Sequence, residues 1–448
     1  MLSDNKGNRP TATTRAVDAG TIIRRNLRDD PPRVLTTDLC VVGSGIAGVS
    51  AAIEAARLGH RVVLVEAGGS LGGQSVAAQI NTFCGFYANG PIPRQIVFGI
   101  ADEILTDLGK SGDIMLLRSR HNSFVVHYDS VALQRWIERT TGREGITPLL
   151  GAALFDARVE DERLVSISVA ARSGIVHIEA ESFVDATGDA AIAWTSGLAT
   201  REPATGPIYG SQNGILRNVD EQALAAIDRA TLRSRLADKG RAYGLDRSDA
   251  FVFTAPGSGE TLINMTHVET PLDPIEASKM VAVGHDKMDL AVDFLRAEFP
   301  EAFSRAVVSI YGALGARQTR WFKSRYQLSA DDVRAGTVFD DAIARCAWPI
   351  ELHNNLEQIY FEAFDEKHIH TIPFRCMVHD EVENLLAVGR CVDGDALALS
   401  SIRVMGPCIA MGAAAAHAFD LTGGRFDHVP IGRLRRRLAA NLGLVELA

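Results

Sequence analysis

The sequence has few cysteines, no long apolar run and no excess of positive charge, and each shortage excludes a class of protein. Its 448 residues include six cysteines and no C-x-x-C pair, so neither a zinc site nor a redox disulfide is indicated. No run of eighteen apolar residues occurs, so no membrane-spanning helix is expected. A net charge of −9 argues against nucleic acid or an anionic membrane surface as the main partner. What remains is a globular chain long enough for two or more domains.

The first 35 residues are predicted to form a polar N-terminal tail, either frayed or docked on the protein. Arg24 and Arg25 are followed by no apolar stretch, so this segment resembles neither a secretory signal nor a twin-arginine leader. Scattered, unpaired cysteines are typical of a reducing compartment. We therefore expect a cytoplasmic protein.

One short stretch, LCVVGSGIAGVSAA at 39–52, contains the pattern G-x-G-x-x-G. Residues 37–42 form an apolar, β-prone run, residues 46–58 predict a helix, and residues 61–65 predict a second strand. The glycines therefore lie in a complete strand–helix–strand unit, which is the context that binds a dinucleotide.

Each glycine of the pattern has a distinct physical role. Gly43 is expected to make the tight turn, Gly45 to let the backbone approach a pyrophosphate, and Gly48 to let helix and strand pack closely. The helix N-terminus offers unpaired N–H groups and partial positive charge to the phosphates, beginning at Ile46 and Ala47.

The end of the second strand restricts the choice of dinucleotide. Glu66 lies where a carboxylate accepts from both ribose hydroxyls, and it would repel the 2′-phosphate of NADP. NAD and FAD both remain. The segment after it, AGGSLGGQSVAAQINTF at 67–83, stands where an NAD dehydrogenase would usually begin another crossover helix. Its candidate ligands are Ala67, Gly72, Gly73, Gln74 and Ser75.

Three segments resemble, in this order, those of two-domain flavoproteins. Residues 67–83 resemble the segment along the pyrophosphate and ribityl chain of FAD. FVDATGDAA at 183–191 is similar to the A-T-G motif that returns the chain to the dinucleotide. Residues 384–405 resemble the C-terminal flavin segment, where a strand ends at Gly389 and a helix N-terminus points at the isoalloxazine ring. The implied flavin contacts are Ala186, Thr187, Gly188, Gly389, Asp395, Arg403, Val404, Met405 and Gly406.

Over about residues 36–440, the chain resembles the FAD-dependent oxidoreductase family related to the fumarate reductase and glutathione reductase flavoproteins. Narrower matches are GARQTRWFKSRYQLSADDVRAGTVFDDAIARCAWPIELH at 315–353 and TIPFRCMV at 371–378. The resemblance implies FAD as the cofactor. Because no H-x-x-x-Q-G-G segment precedes Gly72, we expect the FAD to be bound non-covalently.

The resemblance and the residue patterning predict an α/β fold. A Rossmann-like FAD-binding domain, with a central parallel sheet and an antiparallel meander, is expected to carry an inserted α+β substrate domain. The FAD-binding domain is predicted to be discontinuous, with an N-terminal segment at 36–200 and a C-terminal segment, including the last helix, at 381–448. The N-terminal tail at 1–35 precedes it, and a substrate or cap domain at 201–380 interrupts it.

Some local elements follow from periodicity. We predict an amphipathic helix over 94–108, antiparallel strands over 152–184, and helices around 219–240 and 274–297.

Arginines in the narrower family segments are candidates for substrate binding. Arg317 and Arg320 lie in G-x-R-Q-T-R and Arg375 lies in I-P-F-R-C, and each could hold a substrate carboxylate bidentately. Each could equally form a structural ion pair, and the same two interpretations apply to Arg403.

A general base is needed if the substrate is an alcohol or amine, because a proton leaves as hydride is transferred. His353 is the first candidate, although a structural histidine is the more common role. Cys84 is a candidate substrate contact, with a packed thiol as the more common role. His368 and His370 alternate as on one strand face, but two ligands make no metal site, and none is expected.

One position departs from the family. After G-R-C, relatives often carry T-H-E-A, whereas residues 395–398 are D-A-L-A. Ala396 thus stands where the histidine would be, and any chemistry of that histidine is in question here. Asp395 could instead bind the ribityl chain or act as a base.

These features favour an FAD-dependent dehydrogenase or oxidase that takes hydride from a small polar metabolite, which bears a carboxylate if the arginines act on it. A flavin monooxygenase or NAD(P)H-dependent reductase is the second interpretation, although no second G-x-G-x-x-G unit is found. A flavin-bearing subunit, silent outside a larger complex, is the third, and Ala396 keeps it open. The electron acceptor and the formation of a homo-oligomer are left open.

Overall fold

The computed structural model describes Gly20 and residues 31–119, 122–204 and 206–444. Most of the predicted N-terminal tail lies outside the described residues. Its last residues, from Arg33 onwards, already belong to the first strand of the central sheet.

The elements fall into three consecutive groups. The first group comprises β1 (Arg33–Val42), α1 (Ile46–Arg57), β2 (Val62–Glu66), α2 (Gln74–Ala77), β3 (Thr82–Cys84), β4 (Tyr87–Ala88), β5 (Arg94–Gln95), α3 (Ile100–Ser111), β6 (Ile114–Arg118), β7 (Phe124–Tyr128), α4 (Ser130–Arg143), β8 (Thr147–Leu150), β9 (Ala153–Glu160), β10 (Arg163–Ala171), β11 (Gly174–Asp185) and α5 (Ala191–Thr195). The second comprises β12 (Thr200–Arg201), β13 (Asn213–Arg217), α6 (Glu221–Ala225), α7 (Arg229–Lys239), β14 (Phe251–Thr254), β15 (Thr261–Asn264), α8 (Pro274–Glu298), α9 (Pro300–Phe303), β16 (Val307–Tyr311), β17 (Trp321–Phe322), α10 (Ala330–Ala335), β18 (Ala342–Cys346), β19 (Ile350–Leu352), β20 (Tyr360–Glu362) and β21 (His370–Pro373). The third comprises β22 (Leu385–Ala387), α11 (Ala396–Ile402), α12 (Met405–Thr422), α13 (Ile431–Arg437) and α14 (Ala439–Leu442).

The central sheet has the order β8-β2-β1-β11-β10-β9, with β22 also paired to β11. β1 pairs in parallel with β2 and β11, and β8 and β22 extend the parallel part. One edge of β11 pairs first with antiparallel β10 and then, near its carboxyl end, with β22. The predicted parallel sheet and antiparallel meander are therefore both present. The carboxyl ends of the parallel strands meet at one edge, which is where ligands bind in such sheets.

The described residues form two hydrophobic cores. The larger one joins the central sheet with α1 and α12, which pack closely through small residues, since a Cβ on Gly412 would overlap the carbonyl oxygen of Ala47. The smaller one lies within residues 216–306, between the sheet β14-β15-β13-β16 and helices α7 to α9. This second core gives the predicted inserted α+β unit an interior of its own, while its boundaries at 201–380 stay a prediction.

Two helix predictions are wrong in their extent. The helix predicted over 94–108 begins only at Ile100, because Gly99 adopts φ +75° and its N–H is capped by Asp102 at 2.8 Å. The helix predicted around 219–240 is divided into α6 and α7, because the side chain of Asp228 caps a new helix start. α8 agrees with its prediction, and the Asp273 side chain caps it.

Among the described residues, no single helix has the length and apolar character needed to cross a membrane. Only α11 and α12 taken together meet those criteria, and the pair is bent by 88°.

Candidate active site

A cavity of about 1160 Å³ opens at the carboxyl ends of the parallel strands and continues beneath the inserted sheet. The loops after β1, β2, β11 and β22 form one half of its wall. The inserted unit, β6, β7 and β19 form the other half. A cleft between two units of a chain is a common position for a ligand site.

The glycine loop after β1 has the conformation that its sequence predicts. Gly43 adopts φ +100°, and a Cβ there would overlap the carbonyl oxygen of Ala186. A Cβ on Gly48 would overlap the carbonyl oxygen of Gly43, so only glycine lets α1 pack this closely on the loop. Gly45 has no atom within 4 Å of its Cβ position and lines the cavity, as do Ile46 and Ala47 at the start of α1.

The Glu66 carboxylate is fixed by the protein before any ligand binds. Its Oε2 accepts from the Ser44 N–H at 2.9 Å and the Ser44 hydroxyl at 2.6 Å, and its Oε1 accepts from the Gly68 N–H at 2.7 Å. Each carboxylate oxygen can accept more than one bond, so Glu66 retains acceptor capacity toward a ribose. It lines the cavity next to Ala67.

The glycine-rich segment contributes only some of its residues to the cavity. Gly73, Gln74 and Ser75 line the cavity. A Cβ on Gly73 would come within 2.8 Å of the Cα of Gly45, so the two loops touch through their backbones. Gly72 does not line the cavity. It adopts φ +108° against the side chain of Val76 and shapes the turn instead.

The loop after β11 is held by a buried carboxylate. Asp185 accepts from the Thr187 N–H at 3.1 Å, the Thr187 hydroxyl at 2.7 Å and the Ile192 N–H at 2.8 Å. Burial raises the pKa of Asp185. The Cys391 thiol donates to Asp185 at 3.4 Å and accepts from the Gly188 N–H at 3.0 Å. This network holds the loop, which lines the cavity with Ala186, Thr187 and Gly188.

The C-terminal segment brings a helix N-terminus to the cavity. α12 begins at Met405, and its first-turn N–H groups lack partners within the helix. Gly389, Arg403, Val404 and Met405 line the cavity. Gly406 does not, because it packs against the backbone of Gly85, where a Cβ would overlap.

Two arginine nitrogens on this side are buried without a protein partner. They are Nη1 of Arg390 and Nε of Arg403. Both side chains line the cavity, so an acceptor on a ligand would satisfy nitrogens that the protein leaves unpaired.

Arg403 of this half lies close to two arginines of the other half, Arg247 and Arg317, and the three side chains form one arginine group. Arg317 donates to the Tyr209 carbonyl at 2.6 Å and the Ser211 hydroxyl at 2.9 Å, and burial lowers its pKa well below the ordinary value. Arg247 is 2% exposed and donates to the Asn264 side chain at 2.6 Å. Burial lowers the pKa of Arg403 to about 10.

Glu351 is the carboxylate that acts most directly on this group. It raises the pKa of both Arg317 and Arg403, opposing the effect of burial. The Glu351 carbonyl also accepts from Arg403 at 3.2 Å. Arg317 and Arg403 therefore share the charge of this one side chain, Glu351.

His353 lies in the same half and is 2% exposed. Its Nδ1 lies 2.8 Å from Nε2 of His267, whose Nδ1 lies 2.8 Å from the Leu356 carbonyl. A carbonyl only accepts, so His267 donates through Nδ1, and its Nε2 accepts from the Nδ1–H of His353 when both rings are neutral. Nε2 of His353 therefore carries a lone pair, 3.5 Å from the Glu351 carboxylate.

Both rings are held in the neutral form. Burial, together with nearby arginines, lowers the pKa of His353 well below its ordinary value and that of His267 to about 2. Nε2 of His353 is thus available to accept a proton.

Two predicted substrate arginines lie away from the cavity. The guanidinium of Arg320 stacks on the Trp194 ring at 3.7 Å and lies 3.4 Å from Glu202. Arg375 pairs with Asp341 at 2.6 Å and lies 4.5 Å from the centre of the Tyr326 ring. Arg320 and Arg375 therefore lie in structural ion pairs, the second of the two interpretations given for them.

Asp395 has a structural position as well. Its carboxylate caps α11 by accepting from the Ala398 N–H at 2.8 Å, and it accepts from the Ala330 N–H at 2.6 Å. It does not line the cavity, and the structure does not bring it to the place of a base or a ribityl contact.

Of the remaining candidates, Cys84 lies at the cavity, whereas His368 and His370 lie away from it. Cys84 lines the cavity, and burial raises its pKa, which keeps the thiol protonated. His368 and His370 lie 3.1 Å apart, and His370 is 3.2 Å from the Ser401 hydroxyl. Burial lowers the pKa of His370 to about 3, as expected for a neutral structural ring.

Comparison with known families agrees with this geometry. A family model described as FAD dependent oxidoreductase matches residues 38–438. The chain belongs to this family. No curated protein matches with significance.

Several solved structures are similar to this chain at low sequence identity. A geranylgeranyl bacteriochlorophyll reductase-like protein of Thermoplasma acidophilum is 12% identical, with a TM-score of 0.48 over 92% of this chain and 84% of that one. The myxobacterial chondrochloren halogenase is 15% identical, with a TM-score of 0.47 over 91% and 78%. An anhydrotetracycline hydroxylase of Streptomyces rimosus is 13% identical, with a TM-score of 0.44 over 91% and 68%.

FAD is the cofactor of this family, and the cavity fits it. The start of α1 and the open face of Gly45 suit a pyrophosphate, and Glu66 suits a ribose. The start of α12 suits the ring edge that becomes negative on reduction. The unpaired nitrogens of Arg390 and Arg403 add donors.

Sequence reasoning missed several cavity residues. Glu351 had a usable signal, because it stands two positions before His353 and alternation places both on one face of an extended segment. Arg247 and His267 had none, since nothing in their neighbouring residues marks them. Arg247 reaches the cavity because the inserted sheet folds over it, and His267 acts behind the cavity wall through His353. Other polar residues that line the cavity and were missed include Asp189, Ser211, Asn213, Asn264 and Arg390.

Proposed function

We propose that this protein uses FAD to oxidise a carboxylate-bearing alcohol or amine, with His353 as the proton acceptor. The observation that carries the proposal is the buried arginine group beside the lone pair of His353. FAD, when bound, supplies the hydride acceptor. The protein supplies the anion site, the proton acceptor and a cavity wall.

The arginine group supports an anionic substrate. Charges held away from water cost free energy unless they are paired, and Arg317 and Arg403 both share the carboxylate of Glu351. A substrate carboxylate would give these two guanidinium groups a second anion. Guanidinium groups also bind carboxylates through charge-assisted hydrogen bonds, which fixes the orientation of the substrate.

His353 is suited to take the proton that leaves the substrate hydroxyl or amine. His267 fixes its tautomer through the 2.8 Å contact, so Nε2 is the accepting atom. Glu351 lies 3.5 Å from Nε2 and would stabilise the imidazolium that forms. Burial and, after it, the arginines depress the pKa of His353, and a bound carboxylate would offset the part that the arginines contribute.

The test is anaerobic reduction of the bound flavin, followed by its absorbance. NADH is added first, then NADPH, then pools of hydroxy acids and amino acids. We expect resistance to both nicotinamides and bleaching by one acid pool. Bleaching by NADH or NADPH would instead make the protein a flavin monooxygenase or a nicotinamide-dependent reductase. Lack of bleaching by every reagent would favour a flavin-bearing subunit that needs its complex.

A variant pair tests the role of His353. His353→Gln removes the proton acceptor, so the rate of flavin reduction should fall about 10²- to 10⁴-fold with the flavin content retained. His368→Gln changes a histidine outside the cavity and serves as the matched control. Equal rates in wild type and His353→Gln would refute the assignment.

A further inference from the structure

The inserted sheet presents a wall to the cavity that changes from polar to apolar along its strands. Asn213, Asn264 and Phe251 are register partners on β13, β15 and β14. Two residues further along two of these strands, Leu262 pairs with Phe253. Alternation places both rows on the same face, about 7 Å apart.

The polar row lies against the arginine group. Asn264 accepts from Arg247 at 2.6 Å, and Arg247 contacts the Ser211 hydroxyl that also accepts from Arg317. The apolar row lies further from these charges and lines the same cavity. Of the charged residues that line the cavity, Arg247 and Arg317 therefore lie at the polar row.

The opposite wall repeats the apolar character. Met115 and Leu117 on β6 pair with His127 and Val125 on β7, and all four line the cavity. The His127 ring stacks on Phe253 at 3.6 Å between centres. Burial lowers the pKa of His127 to about 4, so the ring is neutral at physiological pH and behaves as an apolar surface there.

The contact between the rings of His127 and Phe253 closes the apolar end of this space. None of these apolar residues belongs to the loops that suit FAD, which lie at the carboxyl edge of the central sheet. This space is therefore separate from the dinucleotide site, although continuous with it.

We propose that the substrate is an amphipathic carboxylate, with its acid group at Arg317 and Arg403 and an aliphatic or aromatic body in the space lined by Leu262, Leu117 and Val125, beside the stacked rings of Phe253 and His127. This inference rests on the proposed function for the reacting group, and it names the class of molecule that carries that group.

The test is calorimetric titration of the FAD-loaded protein with acids that cannot be oxidised at a hydroxyl or amine. The probes are propionate, pentanoate, octanoate and 1-octanol. Each buried methylene should tighten binding by about threefold to fourfold, so octanoate should bind at least tenfold more tightly than propionate. Octanol, which lacks the charge, should bind at least tenfold more weakly than octanoate. Equal affinity for propionate and octanoate, or for octanoate and octanol, would overturn the proposal.

A variant locates the apolar body. Phe253→Asn should reduce the ratio of octanoate affinity to propionate affinity, which is the gain with chain length, at least fivefold. FAD content and the thermal midpoint show whether the variant folds. Phe155→Asn, at a phenylalanine of β9 that is 51% exposed, is the matched control and should keep the gain. If Phe253→Asn fails to fold, the wild-type chain-length series still decides the question.

This experiment separates the two proposals. Binding of these acids needs neither hydride transfer nor a proton acceptor, so His353→Gln should show the same dependence on chain length. A full dependence with no flavin reduction by any hydroxy or amino acid would refute the proposed function alone. Flavin reduction by short acids with no dependence on chain length would refute this inference alone.

Discussion

The two halves of the cavity differ in whether backbone or side-chain atoms form the wall. The FAD half is made largely of backbone, from loops in which Gly43, Gly45 and Gly48 allow close approach. The half that we propose for the substrate, called the substrate half below, is made of side chains from residues far apart in the chain, such as Arg247 and His353. A backbone that must pass close to a ligand requires glycine at a fixed spacing, so the FAD half can be predicted from the sequence. A side chain acquires its role from its neighbours in space, so its role in the cavity cannot be predicted from the sequence.

The largest effect in this comparison is expected at Gly48. In Gly48→Ala the new Cβ would overlap the Gly43 carbonyl oxygen, which is a backbone atom and not the end of a flexible side chain. We expect the free energy of unfolding to fall by more than about 3 kcal/mol, which exceeds the usual cost of overpacking. We also expect the variant to bind little flavin. The measurements are the ratio of flavin to protein absorbance and the thermal midpoint.

Gly142→Ala is the matched control. Gly142 lies within α4, and no atom is within 4 Å of its Cβ position. Replacing an unhindered helical glycine should stabilise the protein by up to about 1 kcal/mol. If Gly48→Ala kept a full complement of flavin, FAD binding would not depend on the close packing of α1 against the Gly43 loop.

The arginines show why the substrate half could be predicted only incompletely. Arg317 and Arg320 stand three residues apart in one motif, yet Arg317 reaches the cavity and Arg320 stacks on Trp194. Their residue type and motif are the same, and the difference comes from which neighbour each side chain meets. The fold was more predictable, because hydrophobic periodicity and the order of motifs restrict it strongly. Its errors, at Gly99 and Asp228, fall where one residue ends or begins a helix.

The second prediction compares Arg317 with Arg375. Arg317→Lys keeps a positive charge but loses the planar, bidentate donor group. Losing one charge-assisted hydrogen bond, about 1.5–3 kcal/mol, should weaken the binding of a carboxylate by roughly tenfold to hundredfold. Titration of the FAD-loaded protein with octanoate measures it.

Arg375→Lys provides the contrast. Arg375 pairs with Asp341 outside the cavity, so its change should alter octanoate affinity by no more than about twofold. Because Arg317 also holds the Tyr209 carbonyl, the thermal midpoints of both variants must be compared. An equal loss in the two variants would remove Arg317 from the anion site.

The smallest effect concerns His127, which lies in the apolar wall. Its pKa is lowered to about 4 by burial, whereas an unfolded histidine titrates near 6.5. Between these values the unfolded chain binds a proton that the folded protein does not, so stability is lost as pH falls. From pH 7 to pH 5 this one ring should cost about 2 kcal/mol.

His127→Phe should remove that share of the acid sensitivity, because phenylalanine keeps a ring against Phe253 but cannot bind a proton. Urea unfolding at pH 7 and pH 5 measures how much unfolding free energy each protein loses between the two pH values. His428→Gln, at a ring that is 66% exposed, is the control and should lose as much as the wild type. Other buried histidines also contribute to the loss in the wild type, so the loss in His127→Phe is compared with the loss in the wild type. An unchanged loss in His127→Phe would mean that the ring gains its proton in the folded state. The wall beside Phe253 would then carry charge in acid, and the apolar body of the substrate would lose affinity there as pH falls.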